Sequence, residues 1–301
     1  MRVVVTGAAG RLARVVLPRL CGNRNVTQVI GIDRAAPAFA HPKFDAIVAD
    51  LRDPASRAAL GRADALVNLA FILFRRHLSP QAMARTNVEA TCALLGAAAD
   101  AGVPSIIHMS SAAVYGHGVD VAEDAPLSPL PQFHYARHKA AVEAWIVHAL
   151  PRAAVLRPTI VLGPHAQPWL KRVAAMPFCV ALPDPQPRLQ CIHEDDVALA
   201  VELALAERAS GAFNLAAPSS FSVRELIRAR SPHAPAVPLS VARMALQLAW
   251  RTTSWGGEPG WFDGMTASLT LDCRRARTLL GWRPRHEDWR DIAGASALRG
   301  A

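Results

Sequence analysis

Tyr135, Lys139 and Ser111 are the side chains in this sequence whose types and spacing suit the transfer of a proton. Tyr135 and Lys139 are four residues apart in the segment YARHK, so on a helix they share one face. A tyrosine hydroxyl, with a pKa of about 10, is a poor base at neutral pH, and a nearby ammonium group lowers that pKa. Ser111, in SSAAVYG, can hydrogen-bond a reacting oxygen and orient it for Tyr135. We therefore predict that these residues remove the proton from a hydroxyl group while a hydride leaves its carbon.

The elements that must position these side chains alternate along the first half of the chain. Continuous apolar strands between helices are typical of a parallel sheet that is covered on both faces. Ser111 directly follows one predicted strand, at the sheet edge where such folds bind ligands. The predicted strands are 2–6, 28–33, 46–48, 65–69, 106–109 and 154–156. The predicted helices are 10–20, 54–60, 80–101 and 134–150.

The segment TGAAGRLA at 6–13 predicts a site for the pyrophosphate of a dinucleotide. Gly7 permits a sharp turn after the first strand, Gly10 removes a side chain where the pyrophosphate approaches, and the helix presents free N–H groups. Asp33 closes the second strand, and its carboxylate can accept hydrogen bonds from the ribose hydroxyls of adenosine. We therefore predict NAD as the cofactor. Arg34 can bind a 2′-phosphate, so NADP stays open.

Two further observations complete the predicted organisation. Asp50 and Leu51 follow the third strand, where their position and type suit contact with adenine. The regular alternation stops near Pro164. We predict an α/β fold in which a Rossmann-type doubly wound parallel sheet over 1–163 forms the dinucleotide-binding domain. A smaller C-terminal lobe over 164–301 is expected mainly to bind substrate and to return some elements to the main sheet.

Composition and charge narrow the class of protein. The net charge is +9, but the arginines are scattered, which is typical of a basic surface and not of a nucleic-acid-binding segment. The five cysteines form no C-x-x-C pair, which favours reduced thiols in a cytoplasmic protein. No uncharged apolar run reaches the roughly 18 residues of a membrane span. We expect a small-molecule substrate and no nucleic-acid or membrane partner.

The segment IHEDD around His193 is the one that suggests a metal cluster. His193, Glu194, Asp195 and Asp196 are adjacent, but no matching ligand group is evident elsewhere in the sequence. We therefore predict no metal. His138, inside YARHK, is expected to face solvent.

These motifs together resemble the extended branch of the short-chain dehydrogenase/reductase superfamily, the NAD-dependent epimerase/dehydratase family. The resemblance runs over nearly the whole chain, through VNLAF at 67–71, NVEAT at 87–91, LRPTIVLGP at 156–164 and LLGWRP at 279–284. It implies that Ala70 lies beside the cofactor, Asn87 supports the site and Pro158 lies near the nicotinamide. The predicted catalytic residues are Ser111, Tyr135 and Lys139. The predicted cofactor contacts are Gly7, Gly10, Arg11, Leu12, Asp33, Asp50, Leu51, Leu69, Ala70, Asn87, Tyr135, Lys139 and Pro158.

The resemblance loosens where the substrate is expected to bind. Sugar-nucleotide epimerases usually carry an asparagine in the segment equivalent to 157–160, where this chain has RPTI. They commonly carry an arginine just before the I-H-x-x-D segment, where this chain has Leu189, with Arg188 one residue earlier. The apolar segment FILF at 71–74 suits a hydrophobic substrate as well as a sugar.

Three functions stay open from the sequence. The first is an epimerase or dehydratase that acts on a hydroxyl of a nucleotide-sugar or related sugar. The alternative is a net dehydrogenase or reductase of an apolar, steroid-like or other, alcohol or ketone. A non-catalytic dinucleotide-sensing regulator is less favoured, because such relatives usually lose the Tyr/Lys pair and this chain keeps it. By the same resemblance, the helices at 80–101 and 134–150 suggest a possible homodimer.

Overall fold

The structure is a computed structural model that describes residues 1–74, 78–165, 173–253 and 259–297. Its central element is a parallel sheet of seven strands. The strands of the molecule in chain order are β1 (Arg2–Thr6), β2 (Gln28–Asp33), β3 (Phe44–Val48), β4 (Ala65–Asn68), β5 (Ser105–Met109), β6 (Gly118–Val121), β7 (Ala154–Pro158), β8 (Ile160–Leu162), β9 (Cys179–Ala181), β10 (Leu189–His193), β11 (Gly211–Leu215), β12 (Ser220–Phe221), β13 (Ala236–Pro238) and β14 (Leu269–Leu271).

Helices cover both faces of this sheet. On one face α1 packs against α6, with Leu17 and Val201 in the same apolar cluster, and on the other α4 and α5 bury Leu94 and Val142. The helices are α1 (Ala13–Gly22), α2 (Pro54–Ala58), α3 (Pro80–Ala84), α4 (Thr91–Asp100), α5 (His134–Ala149), α6 (Glu194–Ala206), α7 (Val223–Arg228), α8 (Leu239–Thr253), α9 (Pro259–Asp263), α10 (Arg274–Leu279) and α11 (Trp289–Ala297). A π-helical stretch, Arg85–Ala90, joins α3 to α4.

The main sheet has the order β11-β7-β5-β4-β1-β2-β3. The chain therefore runs outward from β1 in one direction through β2 and β3, and then in the other direction from β4. A crevice forms at the carboxyl ends of β1 and β4, where the direction reverses. The predicted doubly wound parallel sheet is confirmed.

The first helix begins later than predicted. The Gly10 N–H donates to the Gly7 carbonyl at 2.9 Å, and the Arg14 N–H donates to the Arg11 carbonyl at 3.1 Å. Residues 7–12 are therefore a succession of tight turns, and α1 starts at Ala13 and not at Gly10. The turns, and not a helical turn, present the backbone of this segment to the crevice.

A second sheet lies beside the carboxyl edge of the first. Its order is β12-β10-β14-β6, and β8 pairs with β10. The two sheets interleave along the chain: β6 and β8 precede residue 163 but belong to the second sheet, whereas β11 follows it and belongs to the first. Of the helices in the described ranges, none is both long and apolar enough to cross a bilayer.

Candidate active site

The turn after β1 requires glycine at two positions. Gly7 has a φ of +73°, and a Cβ atom there would lie 2.7 Å from the Ala70 nitrogen at the end of β4. A Cβ atom on Gly10 would lie 2.8 Å from the Gly7 oxygen. Real Cβ atoms do not tolerate contacts this short. The turn can therefore pack against the end of β4 only if neither position carries a side chain. The result is a bare backbone surface that suits a pyrophosphate beside the start of α1.

A groove runs along the carboxyl edge of the main sheet from Asp33, past the glycine turn, to Lys139. Two carboxylates lie at its outer end, Asp33 and Asp50. Asp33 accepts hydrogen bonds from the Ala9 N–H at 3.1 Å and the Ala35 N–H at 3.2 Å, which fix it at the end of β2. Asp50 instead pairs with Arg52, whose Nε and Nη2 lie 2.7 and 3.1 Å from its two oxygens. This hydrogen bonding lowers the pKa of Asp50. Asp33 thus keeps more acceptor capacity for a ligand than Asp50 does.

Ser111, Tyr135 and Lys139 converge at the inner end of the groove. Ser111 follows β5 and starts a short 3₁₀ helix by accepting a hydrogen bond from the Ala113 N–H at 3.2 Å. Tyr135 lies in the first turn of α5, and burial raises its pKa to about 12 while a hydrogen bond with Ser111 acts to lower it. Burial also lowers the pKa of Lys139 well below its usual range. The three predicted catalytic side chains therefore meet in one place.

Lys139 has two close neighbours in addition to this group. Its Nζ donates to the Met109 carbonyl at the end of β5 and lies 3.5 Å from the centre of the Phe71 ring. Phe71 follows β4 and lines both the outer and the inner part of the groove. The Lys139 amino group therefore rests on an aromatic face and a carbonyl, which hold it in place.

An aromatic cluster fixes the ring of Tyr135. Phe71 meets it edge to face with ring centres 5.6 Å apart, Trp261 stacks on it at 5.5 Å, and Phe133 lies at 5.8 Å. Trp261 comes from α9, far along the chain. These contacts leave the ring little freedom, so the hydroxyl keeps one direction.

A buried ion pair anchors α5 to the sheet. The Arg157 Nη2 lies 2.5 Å from the Glu143 Oε2, and both side chains are almost wholly buried. The second Glu143 oxygen accepts from the Ser110 hydroxyl, next to Ser111. Arg157 also donates to the Tyr115 hydroxyl, which in turn donates to the Asn214 side chain at 2.8 Å. Because Glu143 is one turn beyond Lys139, the pair sets the position of the catalytic helix.

Asn87 supports the site without lining it. Its Oδ1 accepts from the Ile72 N–H at 2.7 Å and its Nδ2 donates to the Ile72 carbonyl at 2.9 Å. The segment after β4 is therefore held in place, and with it Phe71. His138 lies 3.5 Å from Asn87 and is half-buried, with its pKa lowered to about 4 by that burial. His138 is thus partly exposed to solvent.

Two adjoining cavities form the inner part of the site. A groove of about 240 Å³ extends from the glycine turn to Lys139, and a second cavity of about 190 Å³ lies beyond Tyr135. Ser110, Tyr135 and Pro158 line both. A hydroxyl-bearing ligand in the second cavity would therefore meet a cofactor in the groove at Tyr135.

Every predicted cofactor contact except Asn87 lines the groove. The outer part, about 170 Å³, is lined by Asp33, Asp50, Leu51 and Ala70. The inner part is lined by Arg11, Leu12, Tyr135, Lys139 and Pro158, and both parts by Gly7, Gly10 and Leu69. Phe71 and Ile72 of the FILF segment also line the outer part, together with Thr86, which the sequence did not single out.

His193, just before α6, contacts His286, and the sequence did not predict this contact. His286 stacks on His193 with ring centres 3.9 Å apart, and ligand atoms of these residues and Asp195 lie within 4.8 Å of one another. The His193 Nδ1 accepts from the Asp195 N–H, while Asp196 accepts from the Arg285 and His286 N–H groups. These bonds tie the turn before α11 to the start of α6. Face-to-face rings direct their nitrogen lone pairs side by side, which does not suit one shared ion. The prediction of no metal stays a prediction.

The parallel sheet, the glycine turn and the Tyr/Lys helix define a dinucleotide-dependent enzyme. The chain belongs to the NAD dependent epimerase/dehydratase family, which it matches over residues 3–216. The predicted family is thereby confirmed, and with it NAD as the cofactor of the family and the expectation of an enzyme. A non-catalytic regulator is not favoured.

Curated relatives and solved structures resemble the chain along almost its full length. An uncharacterized protein of Mycobacterium tuberculosis is 26% identical over 96% of this chain, and the chain spans about a third of that relative, 32% of its length. The UDP-glucuronic acid 4-epimerase of Bacillus cereus, in complex with UDP-glucuronic acid and NAD, has a TM-score of 0.74 at 22% identity, covering 98% of each chain. A dTDP-glucose 4,6-dehydratase of Streptomyces venezuelae has a TM-score of 0.74 at 22% identity, covering 98% of this chain and 95% of the other. At these identities the structures establish the fold.

Proposed function

We propose that the protein binds NAD in the groove and interconverts a hydroxyl group and a carbonyl group on a small molecule, with Tyr135 as the acid–base group. The observation that carries this proposal is the meeting of Ser111, Tyr135 and Lys139 at the junction of the groove with a second cavity. Outside the main sheet, residues of the second sheet and α9 supply much of the cavity wall, which agrees with a substrate-binding role for the C-terminal lobe. We also propose a cytoplasmic protein, with a homodimer through α4 and α5 as one possible assembly.

The residues of the groove fit the dinucleotide. The bare turn at Gly7 and Gly10 and the start of α1 would hold the pyrophosphate, and Asp33 would accept from the adenosine ribose. Lys139, beside the Met109 carbonyl, would hold the ribose next to the reacting centre. When bound, NAD accepts or delivers the hydride.

Tyr135 handles the proton of the reaction. In the direction of reduction, its hydroxyl donates a proton to the carbonyl oxygen of the substrate, and Ser111 donates a hydrogen bond to the same oxygen. Because burial raises its pKa to about 12, Tyr135 carries its proton at every working pH and is ready to act as the acid. Oxidation reverses these steps and requires a neighbouring positive charge to favour the phenolate.

A tyrosine titration tests this arrangement without a known substrate. The chain has two tyrosines, Tyr115 and Tyr135, and burial raises the pKa of each to about 12. In Tyr115→Phe, the near-ultraviolet absorbance of tyrosinate therefore reports Tyr135 alone. We expect its transition near pH 12 without ligand, and at lower pH with NAD⁺, because the positive nicotinamide ring favours the phenolate. NADH, which lacks that charge, should leave the transition unchanged.

The free energy of unfolding, measured as a function of pH, gives a second test. A folded-state pKa of about 12, raised from 10.0, means that the free energy of unfolding is unaffected below pH 10 and falls between pH 10 and 12.

The matched control for the titration is Tyr135→Phe. Tyr115 alone remains in this variant, and NAD⁺ should not move the pH of its transition. If NAD⁺ moved Tyr115 and left Tyr135 unchanged, the cofactor would not lie beside Tyr135.

Asp33 should decide the choice between the two dinucleotides. Replacing it by serine removes a charged acceptor, which we expect to weaken NAD binding by about 10- to 100-fold and to narrow the preference over NADP. Asp50→Asn is the control, since its carboxylate is already paired with Arg52 and the loss should be smaller. Both effects are measured by titrating the dinucleotides calorimetrically. Tighter binding of NADP than of NAD by the unaltered protein would contradict the role of Asp33.

Two substrate classes are compatible with this chemistry. The structures named above are of nucleotide-sugar enzymes, and that likeness favours a hydroxyl of a nucleotide-sugar. The side chains of the second cavity favour an apolar alcohol or ketone.

A further inference from the structure

We infer that the cavity beyond Tyr135 takes an apolar cyclic ketone, or the corresponding alcohol, that carries no diphosphate. This inference rests on the proposed function, since it names the substrate class of the same site. It depends on the chemistry of the cavity wall, on the hydrogen bonds that its polar groups already make, and on the direction of one arginine.

Most of the described residues in the wall of the cavity are apolar. Leu73, Leu130, Ile160, Trp261, Met265 and Leu269 line it, and none of its described lining residues is charged. They come from the segment after β4, from β8 and β14, from α9, and from the loops that hold Leu130 and Met265. An apolar protein cavity of about 150 Å³ holds a benzene ring, and this one is about 190 Å³. Its size therefore suits one ring with a few additional carbon atoms.

The polar residues of the wall are mostly engaged with the protein. The Gln190 amide donates to the Ala217 carbonyl at 3.1 Å and accepts from the Leu271 N–H at 2.8 Å. The Thr159 hydroxyl donates to the Leu215 carbonyl at 3.3 Å. Ser111 and Tyr135, hydrogen-bonded to each other, lie side by side at one end. The cavity thus offers polar contacts to one oxygen atom and apolar contacts to the rest of the ligand.

The arginine that a diphosphate would need points elsewhere. Leu189 and Gln190 at the start of β10 line the cavity, and Arg188, just before the strand, does not. Arg188, one residue earlier, lies 2.6 Å from the Glu225 carboxylate and bonds the side chain and carbonyl of Ser220. Its guanidinium is therefore used to hold α7. A diphosphate in the cavity would bury its charges against leucine, at a large cost in binding.

The reaction on such a ligand balances with the groups at hand. The carbonyl carbon gains the hydride of NADH, the carbonyl oxygen gains the proton of Tyr135, and the carbon–oxygen double bond becomes single. NADH is oxidised to NAD⁺, and Tyr135 recovers its proton from solvent. Net oxidation of NADH follows, which an epimerase does not show.

Binding to the NAD⁺-loaded protein tests the ligand class apart from turnover, because NAD⁺ and a ketone do not react. We would titrate cyclohexanone, 4-methylcyclohexanone and 4-ethylcyclohexanone, and UDP beside them, by calorimetry. Each added carbon should tighten binding by about fourfold, as expected for burial of one methylene group. UDP should not saturate the site. Tighter binding of UDP than of any ketone, or no binding of the ketones, would overturn the inference.

Leu189 provides the variant and its control. Leu189→Arg should weaken ketone binding by about tenfold or more and admit UDP, because it brings a cation to the apolar wall. Leu189→Met, similar in volume, should retain ketone binding. Circular dichroism tests whether both variants are folded. If Leu189→Arg does not fold, the comparison of ligands on the unaltered protein still decides the inference.

The loss of NADH absorbance then separates the two proposals. Oxidation of NADH by the best-bound ketone supports both. Conversion of UDP-glucose to another UDP-sugar, followed by chromatography because it consumes no NADH, without oxidation of NADH by the ketones would overturn the substrate class and leave the acid–base proposal standing. Ketone binding without oxidation of NADH supports the ligand class and overturns the proposed function.

Discussion

Tyr135→Phe should abolish turnover while leaving the binding of NAD unchanged. The variant keeps the ring that packs between Phe71, Phe133 and Trp261, and removes only the hydroxyl that carries the proton. General acid–base catalysis contributes about 10²- to 10⁴-fold, and we expect kcat to fall by that factor. The measurement is the rate on the substrate that the unaltered protein turns over, together with the dissociation constant of NAD.

Tyr115→Phe is the matched control, because it removes the hydroxyl of the chain's other tyrosine. That hydroxyl is buried between Arg157 and Asn214, away from both cavities. We expect a loss of stability of about 1–3 kcal/mol, since Arg157 and Asn214 each lose a buried hydrogen bond, and nearly full turnover. Activity within tenfold of normal in Tyr135→Phe would show that another group moves the proton.

Arg157→Met should destabilise the protein more than any other single change discussed above. It leaves the Glu143 carboxylate buried without a cation, and such a loss costs about 3–5 kcal/mol. The free energy of unfolding, measured by urea denaturation, reports this loss. Arg19→Met is the control: it breaks the pair with Glu202, also 2.5 Å long but partly exposed, and should cost about 1 kcal/mol or less.

The double variant Arg157→Met with Glu143→Leu completes the cycle. Because no charge is then left unpaired, we expect much of the stability to return. Turnover should not return with it, since Ser110 loses its acceptor and α5 its anchor beside Lys139. Equal destabilisation by Arg157→Met and Arg19→Met would mean that the buried pair contributes no more than a surface one.

The central sheet could be predicted because its signal is local. Runs such as RVVVT at β1 and SIIHM at β5 have apolar centres, as buried parallel strands do. The strands of the second sheet and of the β9–β13 pair were missed, and β11 of the main sheet was foreseen only as an unspecified element of the C-terminal lobe that returns to that sheet. Several have only two or three residues, too few to show a period, and their pairing joins residues as distant as Gly118 and Leu269.

The candidate site likewise contains features that short sequence patterns predict and contacts that no local pattern predicts. The glycine turn, Asp33 and the Tyr/Lys pair are short patterns that state their own chemistry, and the structure places them together. The contacts of Lys139 with Phe71 and of Glu143 with Arg157 have no local pattern, because each joins two elements that meet only in the folded chain. The same is true of His286 beside His193. The side on which Arg188 lies could not be read from its register alone.

The walls of the two cavities have a consequence for the order of events during synthesis. All residues that line the groove lie before residue 195, whereas Trp261, Met265 and Leu269 complete the cavity beyond Tyr135. A nascent chain that has left the ribosome through β11 therefore contains the whole main sheet and the groove, but only part of the substrate wall. NAD that binds this groove would then stabilise the first two-thirds of the chain before the last third is made.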